Sequence, residues 1–173
     1  RVPQGYYLHR GHSWAKMEEG DSVRIGIDEF ALRVLGPFDC IESPLLGKVV
    51  KQNESALTGY RGRLAAQVLS PVSGVVTAIR TELREDGGLA GTDPFGEGWV
   101  MTVHANDLRG DLKTLMIHEE TRQFMEQEVE SLTRLIEETA GPMAVDGGHL
   151  GADLYGKMPQ LGWENLTKRF LHT

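Results

Sequence analysis

Residues 54–79 read ESALTGYRGRLAAQVLSPVSGVVTAI, and the punctuation of this stretch decides the fold. Leu57–Ala65 and Val75–Ile79 suit strands, and Ser70-Pro71-Val72-Ser73-Gly74 between them predicts a reversal. Pro71 fixes its own φ, and Gly74 is free to turn left-handed. Arg61 and Arg63 flank Gly62, which marks an exposed hairpin tip within the same stretch.

Upstream, Val23, Ile25 and Ile27 alternate onto one face, and Glu19-Gly20-Asp21 joins them to Trp14–Glu18 as a β-hairpin. Asp28 is placed to cap a short helix over 29–35, with Phe30 and Val34 inward and Gly36-Pro37 ending it. Strands follow at 38–42 and at Val49-Val50, separated by a turn around Pro44 and Gly47. Downstream, Glu85-Asp86-Gly87-Gly88 centres a loop. Asp93-Pro94-Phe95-Gly96-Glu97-Gly98-Trp99 then turns into a strand at 100–103, and a short polar helix covers 107–116.

Residues 118–139 predict a helix of about six turns. Phe124, Met125, Val129, Leu132, Leu135 and Ile136 fall on one face, and Glu126, Glu128, Glu130, Arg134, Glu137 and Glu138 on the other. The stripe either buries against the β core or forms a homodimer through helix 118–139. Gly141-Pro142 stops it. Residues 143–162 are glycine-rich, yet Val145, Leu150, Leu154, Tyr155 and Met158 make them too apolar for a flexible linker. A wrapping segment is expected there, closed by a short helix at 163–171.

Composition narrows the function. A net charge of −7 and a pI near 5.4 argue against nucleic acid and anionic membranes as partners. No apolar run is long enough to span a bilayer, and no signal-peptide pattern opens the chain, which begins at Arg1 and leaves room for a preceding segment. Cys40 is the single cysteine, read as a buried, inert thiol on a strand. That usage suits a reducing compartment, and a cytoplasmic location is expected.

Four motifs in register, Gly11-His12-Ser13-Trp14, the 26–31 run GIDEFA, SPVSG at 70–74 and DPFGEGW at 93–99, resemble the glycine cleavage system H-protein family. The likeness covers residues 8–116. It implies a mainly β fold with helices, an H-protein-like barrel-sandwich domain over 1–116, and a C-terminal helical extension over 117–173. It also implies a non-enzyme, because members of that family carry lipoic acid on a lysine and leave catalysis to partners. Counting back from Ser70 puts this lysine slot at position 63, which here is Arg63.

Lipoylation makes an amide with a deprotonated primary amine, and a guanidinium offers none. The resemblance therefore implies a member without a lipoyl arm: no bound cofactor, no catalytic residue, and a surface made for an unidentified protein partner. Tyr60, Arg61 and Arg63 are the candidate interaction residues. The tip is read as a solvated turn or as a basic contact for an acidic surface through Arg61 and Arg63; alternatively the hairpin packs on the acid-rich C-terminal helix, which would make Arg63 a structural ion pair. Two alternatives stand beside this: a lipoate carrier using another lysine, Lys51 foremost, and a small-molecule or anion sensor.

Other constellations fall short. His104, His118 and His149 match no compact metal-ligand spacing, so no metal is expected. Gly147–Gly151 lacks the lysine and hydroxyl of a phosphate loop. Asp146 with Asp153, or Glu85 with Asp86, has nothing to fix a carboxylate separation, and Ser70 and Ser73 sit outside any nucleophile elbow. His12 is expected to pack beside Trp14.

Overall fold

The alternation at 23–27 becomes β3 (Ser22–Ile27), paired antiparallel with β2 (Ser13–Met17) so that Trp14 faces Gly26 and Ala15 faces Ile25. The computed structural model describes residues 1–141 and 151–173. The expected contributions of Val145, Asp146, His149 and Leu150 lie outside the described residues.

β1 (Tyr6–Leu8), β2, β3, β9 (Met101–Ala105), β8 (Gly74–Ile79) and β5 (Val49–Val50) lie side by side in that order as a six-stranded sheet. A three-stranded sheet, β4 (Cys40–Glu42), β6 (Ser55–Arg61) and β7 (Leu64–Leu69), holds the rest of the strands. Among the described residues every pairing between these strands is antiparallel. The inner faces share one core in which Val23, Ile25, Ile41, Leu57, Val68, Val76 and Val103 are buried.

Helix α1 (Glu29–Leu35) begins where the Asp28 carboxylate accepts from the Ala31 N–H at 2.8 Å. It stops at Gly36, whose φ of +77° suits a residue without Cβ. Short helices α2 (Leu89–Thr92) and α3 (Leu108–Leu112) flank β9. Helix α4 (Glu119–Ala140) lays Phe124, Leu132 and Leu135 into the interior, with Met125, Val129 and Ile136 packed beside them. Each such burial contributes about 1.5–3 kcal/mol. The chain itself covers the apolar stripe, which removes the reason for expecting a homodimer through helix 118–139. Glu128, expected on the outer face, is drawn inward by His12. Residues 151–173 form α5 (Leu154–Lys157), α6 (Trp163–Leu166) and a closing π-type turn at Thr167–Leu171, in which Phe170 and Leu171 are buried.

Three expectations change. The run 57–65 is not one strand, because Gly62 takes φ +59° and reverses the chain between β6 and β7. SPVSG is not a hairpin turn: it carries the chain from the small sheet to the large one. Gly74 is needed there for close approach rather than a left-handed φ, since a Cβ would sit 2.2 Å from the His104 carbonyl oxygen. Cys40 is half-buried rather than fully buried. Burial, reinforced by Glu42, pushes its thiol pKa up, which keeps it a poor nucleophile.

Candidate functional site

The β6–β7 hairpin has register Arg61↔Leu64, so Gly62 and Arg63 form a two-residue loop. A positive φ at the first loop position alone is the pattern of a type II′ turn, which matches the twist of paired strands. The Asp39 carboxylate accepts from the Gly62 N–H at 2.6 Å and steadies the tip. Arg63 stands exposed at the end of this loop.

The three candidate residues are therefore divided. Tyr60 is half-buried in the strand, opposite Cys40 and Ala65. Arg61 turns inward: Nη1 and Nη2 donate to the two Asp153 oxygens at 2.7 and 2.8 Å, and Nη1 also donates to the Leu35 carbonyl at 2.8 Å. The guanidinium lies over the Tyr155 ring, 5.5 Å from its centre. These bonds hold the Asp153 carboxyl below its usual range and the guanidinium above its own. Arg61 is thus not a free basic contact. The ion pair to the C-terminal part that was expected of Arg63 is made by Arg61 instead, with Asp153 rather than with the acid-rich helix, while Arg63 stays exposed.

Lys51 lies at the other end of the hairpin, where Glu54 N–H donates to the Lys51 carbonyl and Asn53 N–H to that of Ser70. β6 is seven residues long. At about 3.4 Å per residue, Lys51 and the tip are more than ~20 Å apart along the strand.

The serines of SPVSG are used in structure. Ser70 Oγ donates to the Val72 carbonyl at 2.7 Å, and Ser73 Oγ accepts from the Gln52 N–H at 2.9 Å. The Ser73 N–H donates to the buried Asp111 carboxylate at 2.8 Å. Among the described residues no group of three or more His, Cys, Asp or Glu is arranged to hold a metal. His104 and His118 are exposed on separate elements, and His149 lies outside the described residues. Asp153 belongs to Arg61, and its suggested companion Asp146 also lies outside the described residues.

Sequence reasoning missed a buried bridge. His12 is fully buried, and its ring stacks on Phe30 with centroids 4.6 Å apart. Its Nδ1 lies 2.6 Å from Asp28 Oδ2 and its Nε2 2.7 Å from Glu128 Oε1. Desolvation alone would lower its pKa, but the charge and hydrogen bond of Asp28, joined by Glu128, raise it to about 9. Both ring nitrogens therefore donate. The local signal was Asp28, readable only as a cap; Glu128 is 116 residues away from His12.

A cleft of about 380 Å³ opens between α1, Gly87–Gly91 and Asp153, walled by Leu32, Pro37, Phe38 and Pro94.

The family model described as glycine cleavage H-protein matches residues 6–128, past the expected boundary at 116 and into α4. The glycine cleavage system H protein of Coprothermobacter proteolyticus is 33% identical over 125 residues, 72% of this chain and 98% of that protein. One from Thermus thermophilus is 31% identical over 127 residues, 73% of this chain and 98% of its own length. A crystal structure of a glycine cleavage system H protein from Mycobacterium marinum shares the fold, with a TM-score of 0.61 at 22% identity over 73% of this chain and 98% of that one.

Proposed function

Because the chain belongs to the glycine cleavage H-protein family, we propose that it is a member without a lipoyl arm, an H-protein-like module acting through protein contact. The family consists of carriers rather than catalysts, and this chain is not an enzyme. Its carrier-like part is assigned to residues 1–116 and its appended helical part to 117–173.

One observation carries the reading. The hairpin tip ends in Arg63, at the position that the resemblance to the family gives to the modified lysine. An arginine there is geometrically presented and chemically inert toward an activated acyl group, because its nitrogens share a delocalised positive charge. What remains for the module to offer is a shaped surface, and no cofactor is assigned to it.

In vitro transfer with a lipoate ligase tests this. The native chain is expected to take up no lipoate, whereas Arg63→Lys restores an amine on the same turn and is expected to be modified at that residue. Modification of the native chain at Lys51 or any other lysine would overturn the proposal.

The cleft walled by Leu32, Phe38 and Pro94 favours a second reading, a small-molecule sensor. It predicts a rise in melting temperature with some metabolite by mass action. A screen without any such rise would end it.

A further inference from the structure

Among the described residues five large hydrophobic side chains are exposed, and four adjoin one another: Leu45 at 59%, Leu46 at 63%, Val49 at 64% and Val75 at 37%. Val49 and Val75 are cross-strand partners of β5 and β8, and the leucines lie in the turn that leads into β5. Backbone bonds fix that turn. Lys48 N–H donates to the Leu45 carbonyl at 3.1 Å, Gly47 N–H to that of Val76 at 2.8 Å, and Val76 N–H to that of Lys48 at 2.9 Å. Gly47, at φ +83°, takes the third position of a type II turn. Two leucines are thus held outward on a preorganised backbone, which lowers the ordering cost of burying them in a partner.

The edge of the small sheet, in contrast, is already covered. β7 is an edge strand, and the carbonyls of Ala65, Gln67 and Leu69 on its open side accept from Trp163 Nε1, Thr173 Oγ1 and Ser13 Oγ, each at 2.8 Å. With Asp153 on Arg61, the C-terminal segment, joined by Ser13, takes up that edge and the inner side of the tip.

Charge indicates what fits the open patch. Lys48 and Lys51 are exposed within it, and no acidic residue stands between Glu42 and Glu54, although the chain as a whole carries −7. A two-fold pairing of copies through this patch would set these lysines against themselves. An anionic bilayer would be repelled by the remaining surface.

We propose that Leu45, Leu46, Val49 and Val75, with Lys48 and Lys51, form the docking surface for a protein partner whose apolar pocket is rimmed by carboxylates. The inference rests on reading the chain as a protein-contact module.

The test places a photo-crosslinking residue at Leu46 of the full chain in its native host. The expected result is a product with a different protein, mapped to an apolar residue with Asp or Glu close by. In Lys48→Glu/Lys51→Glu, whose thermal unfolding should be unchanged, the yield is expected to fall about tenfold. No product, a product of twice the chain's own mass, or a yield indifferent to the charge reversal would each overturn the proposal. So would flotation with vesicles of equal parts phosphatidylcholine and phosphatidylglycerol that Leu45→Ser/Leu46→Ser abolishes. A lipoyl adduct on the chain would remove the arm-less reading and leave this docking surface standing.

Discussion

His12 Nε2 lies 2.7 Å from Glu128 Oε1, tying the turn before β2 to the middle of α4 through a fully buried imidazolium. Asp28 closes the bridge from the other side while capping α1. Helix α4 is therefore joined to the β core by charge as well as by its apolar stripe.

His12→Gln is expected to destabilise the fold by about 3 kcal/mol, because the fully buried Asp28 and the half-buried Glu128 lose their shared cation. The pH dependence has a definite sign. The folded pKa, about 9, lies above the ordinary 6.5, so this contribution is complete below pH 6.5 and is lost as pH rises through 9. Urea midpoints of the native chain should fall between pH 6 and pH 10 more than those of His12→Gln. Parallel falls would contradict the bridge.

The Arg61–Asp153 pair should respond at the other end of the scale. Asp153 has a depressed folded pKa, so its contribution is present above the ordinary carboxylate value of 3.8 and fades as pH falls through the lower folded value. Both partners are partly solvated, and a double-mutant cycle of Arg61→Ala and Asp153→Ala is expected to give about 1 kcal/mol of coupling. Zero coupling would mean that the C-terminal segment is held by its apolar residues and its hydrogen bonds to β7 without help from this pair.

Gly26→Ala should cost about 2 kcal/mol or more. A Cβ there would lie 2.3 Å from Trp14 Cζ2, and Trp14 is wholly buried with its indole N–H donating to the Pro94 carbonyl at 3.0 Å. The ring has nowhere to move without breaking that bond. Denaturant unfolding followed by tryptophan fluorescence measures the loss, and an unchanged midpoint would contradict the packing.

Leu132→Ala is expected to cost about 2–4 kcal/mol, since Leu132 is 3% exposed in the core. The unfolding midpoint should be independent of protein concentration, because the stripe of α4 packs on its own chain. A midpoint that rises with concentration would restore the dimer reading.

Local signals carried much of this architecture. The alternation at 23–27, the cap at Asp28 and the stripe of α4 each act within a few residues, and each formed as expected. The split of 57–65 is also local, yet two turn signals compete in that stretch, and the proline-bearing one is the more conspicuous in the sequence. Gly62 makes the hairpin, and SPVSG makes the crossing between sheets. Contacts between distant residues were beyond reach. Nothing near Glu128 distinguishes it from the other glutamates of α4, and nothing near Asp153 assigns it to Arg61 rather than Arg63. Both are settled by which side chains folding brings together around a desolvated charge.

The most direct test of the arm-less assignment is the intact mass of the full chain isolated from its native host. The account predicts the mass of the unmodified polypeptide, with Arg63 recovered unaltered in its peptide. A lipoyl adduct on any lysine would contradict it.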